Sequence, residues 1–142
     1  MLKTKPRLKV KRGTHGLGLF TLDEIKKGQF VIEYKGKIIS DAEADLKQGK
    51  YLFEINKTWT LDGSGRDNIA RYINHSCRPN CEVDVKPIKQ KVYINARRRI
   101  LPGEELNYDY GKEYFDGFIK PIGCQCVKCA EKKRSKKKKF RK

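Results

Sequence analysis

The sequence predicts a mainly β domain with little helix, built from several small sheets. Three observations carry this. Short apolar and β-branched runs recur along residues 8–110 between turns rich in Gly and Pro. Cys81–Val85 alternates apolar and polar residues, as a half-buried strand does. Only one segment carries a clear helix start, the capping box Ser40-Asp-Ala-Glu43.

Taken in order, Leu8–Val10 and Leu17–Leu22 read as strands, with Gly13, Gly16 and Gly18 around their junction. Gln29–Tyr34 is a third, closed by Gly36. The capping box opens a helix over Asp41–Lys47, with Gly49 as its stop. Tyr51–Ile55 and Thr58–Leu61 form a strand pair, followed by the turn-rich Asp62-Gly-Ser-Gly65. Asn68–Asn74 suits one short helical turn. Cys81–Val85 and Lys91–Arg97 make a hairpin around Pro87, Pro102-Gly103 a turn, and Leu106–Tyr110 the last strand. Residues 111–123 read as an irregular loop, and the Lys/Arg run after Cys129 as a disordered tail.

The 142 residues leave room for one domain and little else. No apolar run is long enough for a transmembrane helix, and the basic Met1–Arg12 lacks the apolar stretch of a secretory signal. Net charge is +17, with +6 in residues 1–12, +8 in residues 130–142 and +3 between them. Such a chain is drawn to polyanions. The basic ends serve equally as a nucleic-acid tether or as solubilising tails.

Four constellations stand out. Cys124-Gln-Cys126-Val-Lys-Cys129 packs three thiols into six residues, and five cysteines without a signal sequence read as metal ligands rather than disulfides. Zinc prefers four ligands, so a fourth comes from elsewhere: Cys77, Cys81 or a histidine. Arg71-Tyr-Ile-Asn-His-Ser-Cys-Arg-Pro-Asn80 crowds polar and nucleophilic residues into one segment. A Cys77–His75 dyad is unexpected there, since strand alternation points both side chains one way without aiming the imidazole at the sulfur. The bland alternative is a buried loop held by its own Asn and His hydrogen bonds. Glu105-Leu-Asn-Tyr-Asp-Tyr110 sets Tyr108 and Tyr110 on one strand face, to line a pocket or merely to pack. Gly16-Leu-Gly18 lacks the third glycine and βαβ context of a dinucleotide fingerprint.

In their order, these motifs resemble the SET-domain protein-lysine methyltransferases over residues 7–129. The carrying elements are His15-Gly-Leu-Gly18, Tyr51-Leu-Phe53, Asn74-His-Ser-Cys-Arg-Pro-Asn80, Glu105-Leu-Asn-Tyr-Asp-Tyr110 and the terminal cysteine motif. The resemblance implies a β-clip of small sheets around a pseudoknot. It implies an enzyme that uses S-adenosylmethionine to methylate lysine on a histone or another basic, DNA-associated protein. It implies cofactor contacts from His15, Gly16, Leu17, Gly18, Tyr51, Arg71, Asn74, His75 and Gln125, with His75 main chain at the adenine. Tyr110 corresponds to the catalytic tyrosine, Tyr51 lines the lysine channel, and Tyr108 stands at the Phe/Tyr switch, which favours mono- or dimethylation. Cys124, Cys126 and Cys129 correspond to the post-SET cysteines, and the resemblance names Cys77 as their partner on one structural zinc ion. The Cys-x-Cys-x2-Cys spacing is shorter than the family's usual Cys-x-Cys-x4-Cys, and no cysteine-rich segment precedes residue 13.

The expected division is a basic extension (1–6), a SET domain (7–112), a post-SET zinc segment (113–129) and the basic tail (130–142). Expected partners are a protein with an exposed lysine and nucleic acid at the basic termini, with no membrane; some minimal family members are homodimers. The expected location is intracellular: nucleus or chromatin in a eukaryote, nucleoid, cytoplasm or host nucleus for a microbial or viral protein. The competing reading is a catalytically silent basic zinc module that binds nucleic acid.

Overall fold

A computed structural model of the chain describes residues 5–13, 16–47 and 51–111. Among the described residues, ten short strands form four small sheets, joined by one helix and one 3-10 turn. β1 (Leu8–Gly13) and β2 (Gly16–Thr21) pair antiparallel. β3 (Phe30–Tyr34), β8 (Cys81–Lys86) and β9 (Lys91–Ala96) form a sheet with β9 in the middle. β4 (Lys37–Ser40), β5 (Leu52–Glu54) and β6 (Trp59–Asp62) form another, centred on β6. The fourth sheet is two residues a side: β7 (Asn74–His75) runs parallel to β10 (Asn107–Tyr108).

The expected strands are present, with ends shifted by one to three residues. The helix α1 (Asp41–Lys47) has the expected bounds, and the Glu43 amide donates to Ser40 Oγ at 3.2 Å. None of its residues is buried, so capping and the acidic first turn support it more than packing does. The expected turn within 68–74 is the 3-10 turn Ile69–Tyr72. Two strands went unforeseen. β4 buries only Ile39, too little for an alternation to register, and β7 is too short to show any period.

Alternation places the core. Val92, Ile94 and Ala96 of β9 point inward and join Leu19, Val31, Tyr34, Leu61, Ile73, Ile100 and Leu106. Tyr34 is wholly buried, its ring centroid 4.6 Å from that of Phe53. Burial, then the nearby Tyr51 and Asp62, pushes its phenol pKa up, so it stays neutral. Beneath it, the buried Asn68 accepts from the Lys35 amide at 3.0 Å and donates to the Gly63 carbonyl at 2.9 Å. Asp62 closes this corner. Burial alone would raise its pKa; Lys47 Nζ at 2.8 Å and the Ser64 hydrogen bonds outweigh that and hold it low.

Candidate active site

The parallel pairing of β7 with β10 joins two motifs 33 residues apart, setting Asn107 beside Asn74 and Tyr108 beside His75. Two side-chain amides lock it. The Asn80 amide donates to Asn107 Oδ1 at 2.8 Å, and the Asn107 amide returns the bond to Asn80 Oδ1 at 2.9 Å. Asn80 Nδ2 also reaches the Glu105 carbonyl at 2.8 Å. Asn80 is fully buried, and these bonds replace the water it lost.

β2 lies on the other side of the same segment. The Leu106 amide donates to the Leu19 carbonyl (2.8 Å) and the Thr21 amide to the Glu104 carbonyl (3.1 Å). Asn74 spans the gap: its Nδ2 donates to the Leu17 carbonyl at 3.0 Å and to Glu105 Oε2 at 2.8 Å. Both amide protons are thereby used, which leaves Asn74 Oδ1 as its acceptor for a ligand. Gly18 is glycine for a steric reason. A Cβ there would lie 2.6 Å from Glu105 Oε2 and 3.3 Å from Asn74 Nδ2. Gly16 adopts φ +98°, a backbone that L side chains resist.

A row of rings crosses the site. Phe53 faces Tyr108 at 5.9 Å, Tyr108 faces Tyr110 at 4.9 Å, and Tyr110 meets His75 edge-on at 5.3 Å. Tyr108 is buried and Tyr110 half-buried. The Tyr110 hydroxyl donates to the Ile73 carbonyl, and its oxygen retains acceptor capacity. Arg71 connects Tyr51 to the same region. Its guanidinium lies 4.9 Å from the Tyr51 ring and 5.2 Å from the Tyr72 ring, and Nη1 donates to the Ser64 carbonyl at 2.5 Å. Arg71 Nε is buried without a hydrogen-bond partner among the described residues, a donor poised for a ligand oxygen.

His75 and Cys77 correct a sequence expectation. His75 Nε2 lies 3.4 Å from Cys77 Sγ. The strand argument failed because β7 ends at His75. The Ser76 amide turns to the Tyr108 carbonyl (3.1 Å) and the Arg78 amide to Ser76 Oγ (3.0 Å), swinging Cys77 back to the ring. The Tyr110 amide donates to His75 Nδ1 at 3.0 Å, which assigns the ring proton to Nε2, facing the sulfur. Burial lowers the His75 pKa and Asp109 only partly offsets this, so the imidazole is neutral at pH 7. Cys81 is fully buried, and its thiol is pushed up to about 12 by desolvation, against weaker opposing effects of Asn107 and Arg98.

Of the predicted site residues, Gly16, Leu17, Gly18, Asn74, His75, Cys77, Tyr108 and Tyr110 converge, with Tyr51 held through Arg71. His15, Gln125, Cys124, Cys126 and Cys129 lie outside the described residues. Among the described residues no three His, Cys, Asp or Glu side chains gather as a metal site. Sequence reasoning assigned no role to Glu105, Asn80 or the Ile73 carbonyl. The glycine at position 18 was the available signal for Glu105, because a missing Cβ marks a close approach.

A fold of small sheets in which a parallel pair joins an Asn-His segment to a Tyr-x-Tyr segment defines a class of protein. The chain belongs to the SET-domain family, whose model matches residues 16–111. Among its relatives, the histone-lysine N-methyltransferase trithorax of Drosophila virilis is 39% identical over 125 residues, 81% of this chain and 3% of its own length. The H3 lysine-4 specific histone-lysine N-methyltransferase of Schizosaccharomyces pombe is 44% identical over 107 residues, 68% of this chain and 12% of its length. The histone-lysine N-methyltransferase ASHH1 of Arabidopsis thaliana is 37% identical over 126 residues, 81% of this chain and 26% of its length. The chain therefore spans about a quarter or less of these relatives.

Proposed function

We propose that this domain is a protein-lysine N-methyltransferase that uses S-adenosylmethionine and acts on a histone. The observation that carries this is the Tyr108–Tyr110 pair, 4.9 Å between rings, held against Asn74 and His75 by the β7–β10 pairing. The relatives' histone-lysine names support the substrate class.

When bound, S-adenosylmethionine supplies an electrophilic methyl group on a cationic sulfur. Gly16–Gly18, Asn74 and the orphaned Nε of Arg71 suit its amino-acid end, with His15, His75 main chain and Gln125 completing the contacts. Tyr51, Tyr108 and Tyr110 line the channel for the target lysine. A free lysine amine has a pKa of about 10.4 and must be neutral to act as nucleophile. A dry channel beside a cation favours the neutral form, so no strong base is required. Tyr110, whose hydroxyl donates to the Ile73 carbonyl, takes a positioning role in this reading. Its oxygen is placed to accept from the amine and orient it. The test is radiolabelled methyl transfer to histones, with Tyr110→Phe as control. DNA binding with no transfer to any protein would favour the silent basic module instead.

Glu105 acts here as a positioning residue, by holding Asn74. Glu105→Ala is expected to raise the KM for S-adenosylmethionine about tenfold with little change in kcat, the loss of one charge-assisted hydrogen bond. Glu105→Gln, whose carbonyl still accepts from Asn74, recovers most of it. Steady-state kinetics with the cofactor varied distinguishes them.

Tyr108 sets the degree of methylation in this reading. Its hydroxyl fills space that a methylated amine would need, so the native enzyme stops at mono- or dimethyl-lysine. Tyr108→Phe shifts the product toward trimethyl-lysine, read by mass spectrometry; rapid trimethylation by the native enzyme contradicts this.

One structural zinc ion on Cys77, Cys124, Cys126 and Cys129 is the remaining part. The donor set is chemically suited, with the His75 N–H supporting the Cys77 sulfur. Chelation is expected to remove zinc and abolish most transfer. Full activity in metal-free protein contradicts it. In this reading residues 7–112 are the catalytic domain and 113–129 the zinc segment. Its place is chromatin, with a homodimer as one arrangement, and the basic ends tether it to DNA. Among the described residues no helix is long and apolar enough to cross a membrane.

A further inference from the structure

We propose that the folded body itself carries a docking surface for duplex DNA. It is a cationic groove between the segment before β1 and the loop before β3, continued along the outer face of β1. The inference rests on the histone reading only for the choice of DNA as the polyanion.

An open depression of about 820 Å³ lies along this seam, lined by Lys5, Arg7, Lys26 and Lys27, with Asp23 and Glu24 in its wall. Both carboxylates are already neutralised. Arg7 grips Asp23 through Nη2 at 2.7 Å and its backbone amide at 2.8 Å; Arg99 Nε holds Glu24 at 2.8 Å. Lys5, Lys26 and Lys27 make no ion pair among the described residues, so the groove presents net positive charge. The Gly28 amide donates to the Ala96 carbonyl, which brings the likewise unpaired, exposed Arg97 to the same edge.

β1 extends this surface. Leu8 and Val10 turn inward onto the core, so alternation directs Lys9 and Lys11 outward. The Lys11 ammonium lies over the Phe20 ring at 4.3 Å, a cation–π contact that fixes its position on the exposed face. Lys9 and Lys11 stand two residues apart on β1, about 6.7 Å on an extended strand. That is close to two steps of the 3.4 Å axial phosphate spacing of one DNA strand. The sequence counted these charges within the +6 of residues 1–12 and read Leu8–Val10 as a strand. The structure fixes Lys9 and Lys11 on a paired strand, so the backbone that spaces them is ordered before binding. The far end of the strand pair is the Gly16–Gly18 segment at the candidate site, so DNA on this face lies beside the site without entering it.

The test compares three full-length proteins by fluorescence anisotropy on a 20-base-pair duplex across a salt series: the native chain, Lys5→Gln/Lys9→Gln/Lys26→Gln/Lys27→Gln, and the control Lys57→Gln/Lys86→Gln/Lys89→Gln/Lys91→Gln. The groove variant is expected to bind at least about tenfold more weakly, with a log–log salt slope shallower by about 3 to 4. The control, equal in net charge, should stay near the native curve. Native-like binding by the groove variant overturns the proposal and assigns the contact to residues 130–142. Equal loss in both variants also overturns it, reducing the effect to bulk charge, as does equally tight binding of an acidic polypeptide to the groove. Methylation of a free histone peptide is measured alongside and should be unchanged in the groove variant. No transfer by the native chain would sink the enzymatic reading while leaving the anisotropy result to judge the groove.

Discussion

Tyr110→Phe is expected to lower methyl transfer about 10²-fold or more while leaving cofactor affinity within about twofold. Only one oxygen is removed. The ring keeps its edge contact with His75 and its packing on Tyr108, so the pocket retains its shape. What goes is the acceptor fixed by the Ile73 carbonyl, which orients the incoming amine. A positioning role predicts a fall in kcat with the cofactor KM and the form of the pH profile retained. A general base would instead erase the profile's alkaline-dependent limb. Single-turnover transfer with cofactor titration makes the measurement. Transfer near the native rate would remove Tyr110 from the mechanism.

Gly63→Ala is expected to destabilise the domain by about 3 kcal/mol, at the upper end for overpacking a core. The added Cβ would overlap the Tyr34 ring, lying 2.8 Å from its Cζ, and would sit 2.6 Å from Asn68 Nδ2. Neither neighbour can yield. Tyr34 and Asn68 are each about 1% exposed, and Asn68 is pinned by the Lys35 amide and the Gly63 carbonyl. On a domain of this size the change lowers the melting temperature by roughly 10 °C or more. The effect reaches the site, because Tyr34 packs on Phe53 and Phe53 on Tyr108. Thermal unfolding followed by circular dichroism checks it; a melting point within 2 °C of native would mean that this corner relaxes more freely than its burial implies.

The two predictions separate what chemistry and packing each demand of the same ring row. Tyr108 is both a core residue and a channel residue. That double use explains why its packing and product-specificity roles must be tested by the conservative Tyr108→Phe rather than by truncation.

Much was legible in the chain because the physics is local. Period-2 alternation located β8, the turn at Pro87 placed β9 beside it, Ser40 and Glu43 announced α1, and glycine marked turns. The motif order identified the family before any coordinates. Local patterns could not reveal β4 and β7, whose burial is too slight to print a period. They also misjudged His75 and Cys77, because the chain leaves its strand between them.

The sequence by itself thus determined the class of fold and the helix bounds, and proposed candidate site residues. Tertiary structure alone decided which of them meet. Asn74 finds Glu105 across 31 residues, Asn80 finds Asn107 across 27, and Tyr110 finds the Ile73 carbonyl across 37. It also set Lys9 and Lys11 on the paired strand β1. The physical reason is range: propensity and alternation act over a few residues, whereas hydrogen-bond geometry and burial are set by whatever the folded chain brings alongside.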